Sequence, residues 1–425
     1  MSEISTNLAG TSAARTLRIP VLGLRIETEM LSAVTVTFLV TRLMVLFIIF
    51  ISGVMFPMRP GLYLYSDPNN ILLDGLIRDD SWWYHNIVTQ GYNMGDIATG
   101  LQGNAAFFPM YPLTVKIFSA LTGNVFLAGV IVANIAFFFA LGFLFALTRR
   151  EFEQATAART IFYFAAAPTA VFFSAMYTES LFMLFVIATF YFARRSQWDR
   201  AAVAGILASA TRNTGVLMAL VIALEAMHQN GFRFLPTKWS REGWIALIKS
   251  WWRPLLASWP GFIAAAVVPL GLLSYMGYLT NQFGDPLGFI HVQATWGRST
   301  SPAGLAKLIP NIINSLNLGP NVMAGQISMY GVLNLLATLG FLPLVIMVAR
   351  KMRPAYVTFV LITFFVPIST GTLGSMTRYI LMLFPCFMLL GLWGQRSWVD
   401  RVVLGIFLPL MAFFAIVFSH WYFAG

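Results

Sequence analysis

The chain has 425 residues, of which 58% are hydrophobic and only 10% are charged. Soluble globular proteins have about a quarter of their residues charged, so this composition excludes that class and indicates a membrane-embedded protein. The net charge of +11 would otherwise suggest a polyanion as partner. Because Lys and Arg of membrane proteins collect in cytoplasmic loops, we attribute the charge to topology and expect no nucleic acid.

Apolar segments recur along the whole chain. A tail over residues 1–30, with Arg15, Arg18 and Arg25, precedes the first span at 31–56, which is long enough to cross a bilayer. Further spans are predicted at 125–147, 160–174, 177–193, 201–211, 214–228, 257–279, 328–350, 355–370, 377–394 and 401–422. The pattern predicts an all-α integral membrane protein, a single polytopic domain over residues 1–425 with about eleven transmembrane helices.

The basic residues predict the orientation of the spans. Most of the 27 Lys and Arg residues fall in alternate connections, including the tail and a basic loop at 229–256. By the positive-inside rule these connections and the N-terminus are cytoplasmic, and the C-terminus is external. Acidic residues collect on the opposite, external side, so any chemistry is expected there.

Two predicted external loops are long, at 57–124 and 280–326. Within the first loop, residues 81–90 and 108–121 are predicted to form amphipathic helices that lie in the membrane interface. Loops of this length in a compact protein are usually functional or disordered, and their aromatic residues favour the former.

Adjacent carboxylates open the first interfacial segment. Asp79 and Asp80 point about 100° apart on a helix, so we expect them to differ in role. A carboxylate that is partly desolvated beside a membrane has a raised proton affinity, which suits a general base for a hydroxyl acceptor. The alternative is that both carboxylates form a solvated cap with Arg78 at the helix start.

Four segments, in this order and spacing, resemble motifs of the PIG-V-like mannosyltransferases, which are polytopic glycosyltransferases of the GT-C type. They are Asp80-Ser81-Trp82-Trp83-Tyr84 with Gly91-Tyr92, Phe107-Phe108-Pro109-Met110-Tyr111-Pro112, residues 168–180, and Ala210-Thr211-Arg212-Asn213-Thr214-Gly215. A weaker likeness extends over residues 284–298 and around Arg378-Tyr379. The resemblance implies a GT-C-like helix bundle. Asp79 stands where the family usually has Trp, and the register to Gly91-Tyr92 selects Asp80 as the base, with Asp79 as the alternative.

The resemblance also implies a reaction and a set of binding residues. A sugar, typically mannose, moves from a polyprenyl-phosphate donor to a hydroxyl on a lipid, glycan or protein acceptor, with inversion at the anomeric carbon. The leaving lipid phosphate needs cationic partners, for which the candidates are Arg212, Arg298, Arg378 and His291. Other residues expected to bind substrate are Trp83, Tyr84, Tyr92, Tyr177, Glu179 and Asn213. For Glu179 and Arg212 a structural ion pair is the alternative, and for Arg42, inside the first span, we expect snorkelling or pairing.

No cofactor is required for this chemistry. A divalent cation, Mg²⁺ or Mn²⁺, held by Asp79 or Asp80 and the donor phosphate is the alternative, because such ions prefer oxygen ligands. The single cysteine, Cys386, excludes an intrachain disulfide and a cysteine-built metal site. We expect a multi-pass protein of the bacterial inner membrane with its active site facing the periplasm; the alternative is the endoplasmic reticulum membrane with a lumenal site.

A transporter or lipid flippase is the alternative function from another class, since polytopic proteins with broken helices and charges at membrane depth often move substrates. One external lipid-lined cavity, closed on the cytoplasmic side, is expected of a transferase. An inward-open pathway through the membrane midplane is expected of a transporter.

Overall fold

A computed structural model describes residues 16–19, 24–58, 64–96, 98–233, 240–296, 304–316 and 328–422. These residues form the helices α1 Thr28–Met55, α2 Ile71–Asp74, α3 Asp80–Gln90, α4 Met110–Thr122, α5 Val125–Glu151, α6 Gln154–Ala165, α7 Glu179–Ala193, α8 Trp198–Thr211, α9 Leu217–Gln229, α10 Arg241–Ala257, α11 Trp259–Val267, α12 Leu270–Phe283, α13 Gly288–His291, α14 Gly304–Leu316, α15 Met329–Lys351, α16 Pro354–Ser369, α17 Met376–Tyr379, α18 Phe384–Trp393 and α19 Ser397–Ser419. Short 3₁₀ helices lie at Ala170–Phe173, Asn213–Val216, Val292–Trp296 and Ile380–Met382. The predicted all-α class is confirmed, with one small exception in the N-terminal tail, where β1 Thr16–Ile19 pairs antiparallel with β2 Leu24–Glu27.

The protein is an integral membrane protein with several spans. Among the described residues, five helical segments are long and apolar enough to cross a bilayer, namely α1, α5, α11 with α12, α15 and α19. A sixth candidate is the pair formed by Met376–Met382 and Phe384–Trp393, which is bent by 74°. Shorter apolar helices, among them α7 and α16, lie at other predicted spans. The crossing number of about eleven and the domain and loop boundaries stay predictions.

The ends of the long helices follow local sequence signals. The α5 helix begins after Asn124, whose side chain accepts a hydrogen bond from the Leu127 amide, and Arg149 and Arg150 lie in its last turn. Cationic side chains there are favoured by the negative end of the helix dipole. The α5 helix packs on α1, α4, α6 and α7.

The span predicted at 160–174 is not a continuous helix in the structure. The α6 helix ends at Ala165, and the chain then continues as a buried loop. Arg42 on α1 supports this loop: its guanidinium donates to the Ala165 carbonyl at 2.6 Å and the Ala170 carbonyl at 2.9 Å. Non-helical backbone at membrane depth is tolerated only where its polar groups find partners inside the protein. Arg42 is 4% exposed, so it pairs within the bundle and does not snorkel.

A second break separates α8 from α9 and exposes the polar side chains between them. Arg212 is extended there, with φ −151° and ψ 149°, and a 3₁₀ turn follows. Gly215 allows the turn, since a Cβ atom at this position would lie 2.1 Å from the Ala208 carbonyl oxygen. The break and the loop after α6 bring Arg212 and Glu179 together.

Candidate active site

Six of the predicted site residues line one cavity of about 210 Å³. They are Asp80, Tyr84, Glu179, Arg212, Asn213 and Arg378. Phe107 and Phe108 from the loop before α4, and Phe289, Gln293 and Trp296 from the segment after α12, line it as well. The cavity therefore gathers residues separated by nearly 300 positions in the chain.

Two carboxylates and two guanidinium groups alternate along the cavity wall. Arg378 Nη1 lies 2.8 Å from Asp80 Oδ2, and Arg378 Nε lies 3.4 Å from Glu179 Oε1. Arg212 Nη1 lies 2.8 Å from the same Glu179 oxygen. Buried charges need such partners, because an isolated one carries a large desolvation cost. The side chain of Asp80 is 23% exposed, whereas that of Glu179 is 1% exposed, so Asp80 is the carboxylate that a ligand reaches.

The turn that carries Asp80 is held from behind by buried groups. The Tyr177 hydroxyl accepts a hydrogen bond from the Asp80 amide and donates one to the Arg78 carbonyl, each at 3.2 Å. Asp79, between these two residues, has a left-handed φ of 43°, which is uncommon for a residue other than glycine. The turn thus directs Asp80 into the cavity, and Asp79 is not among the lining residues.

Arg78 is fully buried, which contradicts a solvated cap that includes it. Its guanidinium forms an ion pair with Asp74 at 2.8 Å. It also donates two hydrogen bonds, of 2.9 and 2.7 Å, to the Ser419 carbonyl at the end of α19. Charge-assisted bonds to a helix's last carbonyls fasten the Asp80 turn to the C-terminal helix.

The predicted aromatic residues divide into one that lines the cavity and three that support it. Tyr84 lines it, and burial, with the nearby Asp80 and Glu179 charges, raises the pKa of its phenol well above the usual value. Tyr177 is 1% exposed and uses its hydroxyl on the Asp80 turn.

Trp83 and Tyr92 hold the lining residues in place. Trp83 packs at 6.2 Å on the Phe107 ring and at 4.8 Å on the Trp296 ring, and Tyr92 donates to the Phe107 carbonyl at 3.0 Å. Direct substrate contact, as predicted for Trp83, Tyr92 and Tyr177, therefore does not follow from their positions, since each is engaged with the protein.

His291 lies outside the cavity lining. Its Nδ1 is 2.8 Å from Asp285 Oδ2, its side chain is 61% exposed, and the hydrogen bond lowers the pKa of Asp285. The expected contact with a lipid phosphate therefore does not follow from its position, because the short α13 helix directs this side chain outwards. Arg298, predicted to bind the phosphate, lies outside the described residues.

Sequence reasoning missed Phe289 and Gln293, which line the cavity from the segment after α12. Both lie within the segment of weaker likeness at 284–298, but neither carries a charge that would have identified it. Thr178 and Thr211 also line the cavity, and each adjoins a predicted residue. Among the described residues no group of three or more His, Cys, Asp or Glu side chains is arranged to hold a metal ion.

Comparison with known families gives one match. Residues 65–235, less than half of the chain, match the model of the family described as mannosyltransferase (PIG-V). The match confirms the predicted resemblance and supports the predicted enzyme class, a glycosyltransferase. No curated protein matches the chain.

Solved structures with a similar course of the chain are membrane glycosyltransferases. The oligosaccharyltransferase of Archaeoglobus fulgidus, in complex with zinc and sulfate, is 14% identical, with a TM-score of 0.42 over 92% of this chain and 53% of its own. ArnT from Cupriavidus metallidurans bound to undecaprenyl phosphate is 14% identical, with a TM-score of 0.48 over 92% of this chain and 75% of its own. The chain spans about half the length of the archaeal enzyme. At TM-scores below 0.5 these likenesses are too distant to assign an activity.

Proposed function

We propose that the protein is a membrane glycosyltransferase that moves a sugar from a polyprenyl-phosphate donor to a hydroxyl group. Mannose is the first candidate for this sugar. The acceptor is a lipid, glycan or protein on the extracytoplasmic face. The observation that carries the proposal is a cavity lined by the Asp80 carboxylate, which pairs with Arg378, and by Arg212, which pairs with Glu179. A base for a hydroxyl group and cations for a leaving phosphate are the two requirements of this reaction.

Each group has a defined part in the transfer. The acceptor oxygen attacks the anomeric carbon and its proton passes to Asp80. The bond between the anomeric carbon and the phosphate oxygen breaks, and the phosphate takes the electron pair. The leaving group gains negative charge, which Arg378 and Arg212 stabilise by charge-assisted hydrogen bonds. Attack from the side opposite to the leaving group inverts the anomeric configuration.

Arg378 links the base to the leaving group. Its guanidinium is shared between Asp80, at 2.8 Å, and Glu179, at 3.4 Å. A donor phosphate in the cavity offers Arg378 a further anionic partner, so donor binding weakens the contact with Asp80 and leaves that carboxylate available to the acceptor. The donor is therefore expected to bind before the acceptor.

Ion pairs at the end of α7 opposite to the cavity argue against a transporter. There, Arg194 lies 2.5 Å from Glu151 and 3.1 Å from Glu225, and Arg353 lies 3.2 Å from Glu225. Arg194 directly follows α7, which begins at Glu179, so this cluster is about 22 Å from the cavity at ~1.5 Å per residue. These ion pairs join α5, α7, α9 and the start of α16, which supports a one-sided enzyme over an inward-open pathway.

The side of the membrane follows from the distribution of basic residues. We propose that the cavity faces the periplasm of a bacterial inner membrane, with the lumen of the endoplasmic reticulum as the alternative. The lone Cys386 is buried, so single-cysteine labelling from one side of the membrane has a low background. A membrane-impermeant maleimide applied from outside should label Ala98→Cys and spare Ala155→Cys, and the reverse pattern would contradict the orientation.

The proposed reaction is tested with the purified full chain, in lipid nanodiscs for sugar transfer and in sealed vesicles for transport. We would incubate it with a panel of polyprenyl-phosphate sugars and extracted membrane lipids and identify products by mass spectrometry. Transfer from a mannosyl donor, without net transport of the intact donor across sealed vesicles, is the expected result. Translocation without any glycosylated product would contradict the proposal and favour the flippase.

A further inference from the structure

The α10 helix presents an apolar row and a cationic row side by side on its surface. Ile248, Trp252 and Leu256 follow one another at every fourth residue, and they are 55%, 64% and 55% exposed. Lys249 and Arg253 each come one residue after a member of this row, so they form a second row along the helix. An exposed apolar row beside a cationic row is typical of a helix that lies in the membrane interface.

The α10 helix lies at the end of the bundle opposite to the candidate active site. The α9 helix begins at Leu217, shortly after the cavity residue Arg212, and it ends on the far side of the bundle at Gln229. Asn230 then donates a hydrogen bond of 3.2 Å to Ser258 Oγ, at the boundary between α10 and α11. The α11 and α12 helices together are long and apolar enough to span a bilayer, so α10 lies where the chain enters the membrane.

A pocket of about 550 Å³ lies at this junction. Lys249 and Arg253 line it, together with Ser250, Trp252 and Asn230. The Ser250 hydroxyl and the Asn230 amide donate to groups of the chain itself. Within the parts of the chain that the structure describes, neither Lys249 nor Arg253 forms an ion pair with a carboxylate. The two charges are therefore available to an anion from outside the chain.

We infer that α10 binds an anionic phospholipid of the leaflet opposite to the candidate active site, with the lipid phosphate at Lys249 and Arg253. The apolar row gives the acyl chains a contact surface that a soluble phosphate ester would not use. The two cations favour an anionic headgroup over a zwitterionic one. This site is separate from the cavity that contains Asp80, and it does not depend on the proposed function.

The experiment measures lipid binding by the purified full chain in a nonionic detergent. The protein is titrated with phosphatidylglycerol or phosphatidylcholine, and bound lipid is counted by native mass spectrometry. The double variant Lys249→Gln with Arg253→Gln should bind phosphatidylglycerol about 30-fold more weakly, since each cation beside anionic lipid accounts for about a fivefold change in affinity. Its binding of phosphatidylcholine should stay within about twofold. Equal affinity of the unchanged protein for the two lipids would overturn the inference.

The matched control removes two positive charges from the same end of the bundle. Arg396 and Arg401 lie at the start of α19, whose last residue is fastened beside the candidate active site, and neither lines the pocket. All four side chains are exposed, so both double variants are expected to fold. Arg396→Gln with Arg401→Gln should bind phosphatidylglycerol within about twofold of the unchanged protein. An equal loss in both double variants, or a loss in neither, would overturn the site.

Two further measurements test whether the ligand is a lipid of the bilayer. Glycerol 3-phosphate carries a phosphate without acyl chains and should not compete with phosphatidylglycerol; competition would indicate a site for a soluble phosphate ester and overturn the inference. Because Cys386 is buried, a fluorophore can be attached at Ile248→Cys or at Ala246→Cys, two exposed positions about 160° apart on the helix. Phospholipids with brominated acyl chains should quench the label at Ile248→Cys alone, and equal quenching at both positions would contradict the orientation of α10.

Discussion

The hydrogen bonds of the buried Tyr177 hydroxyl predict that this group holds the candidate base, Asp80, in position. Tyr177→Phe removes one oxygen and leaves the Asp80 amide without its hydrogen-bond acceptor, whereas the Arg78 carbonyl still accepts a hydrogen bond from the Ser81 amide. A buried polar group that loses its partner costs about 1–3 kcal/mol. If all of this cost is added to the activation free energy of transfer, because Asp80 is no longer held in position, kcat falls about 5- to 150-fold.

The assay is the initial rate of sugar transfer over a range of donor concentrations. A positioning role predicts a lower kcat with the donor KM within about twofold, because the donor contacts are retained. The matched control is Tyr356→Phe, which removes a buried hydroxyl that donates to Glu151 at the opposite end of the bundle. It should lower the melting temperature and leave kcat unchanged. A raised KM with an unchanged kcat in Tyr177→Phe would refute this reasoning and return Tyr177 to substrate contact.

Three further predictions concern charge. Arg212→Gln removes the closest cation of the buried Glu179 and leaves Arg378 as its remaining partner, so the free energy of unfolding, measured by denaturation in detergent, should fall by about 1–3 kcal/mol. The double variant with Glu179→Gln should recover much of the loss, and no recovery would contradict the pairing. Arg42→Met should lower the melting temperature, because the Ala165 and Ala170 carbonyls lose the guanidinium that donates to them. An unchanged melting temperature would contradict the role of Arg42 in holding this loop. Transfer should persist in excess EDTA, because Arg212 and Arg378 supply the positive charge; loss of activity restored by Mg²⁺ or Mn²⁺ would favour a metal held by Asp80.

Periodicity and charge were sufficient to predict most of the helices. Long apolar runs with Asn or Ser before them and Arg or Lys after them predict α5 and α15 closely, because these signals act within one helix. The interruption after Ala165 was not predicted, since the loop depends on Arg42 from a helix more than a hundred residues earlier. Tertiary partners of that kind leave no local pattern in the sequence.

The candidate site was predictable where residue type carried the signal. Asp80, Glu179, Arg212 and Arg378 were predicted by charge within an apolar chain and by motif resemblance, and they share a cavity. The role of Tyr177 could not be predicted, because the sequence does not show whether the hydroxyl of a motif tyrosine contacts substrate or backbone. The path of the chain decides between the two.

The measurement that tests the central claim most directly is the single-turnover rate of Asp80→Asn against that of Asp79→Asn, with donor binding measured in parallel. Loss of a general base lowers the rate about 10²- to 10⁴-fold. Asp80→Asn should show that loss and still bind the donor, because Arg212 and Arg378 remain, whereas Asp79→Asn should retain most of its rate. Full activity of Asp80→Asn, with the loss falling on Asp79→Asn, would contradict the account.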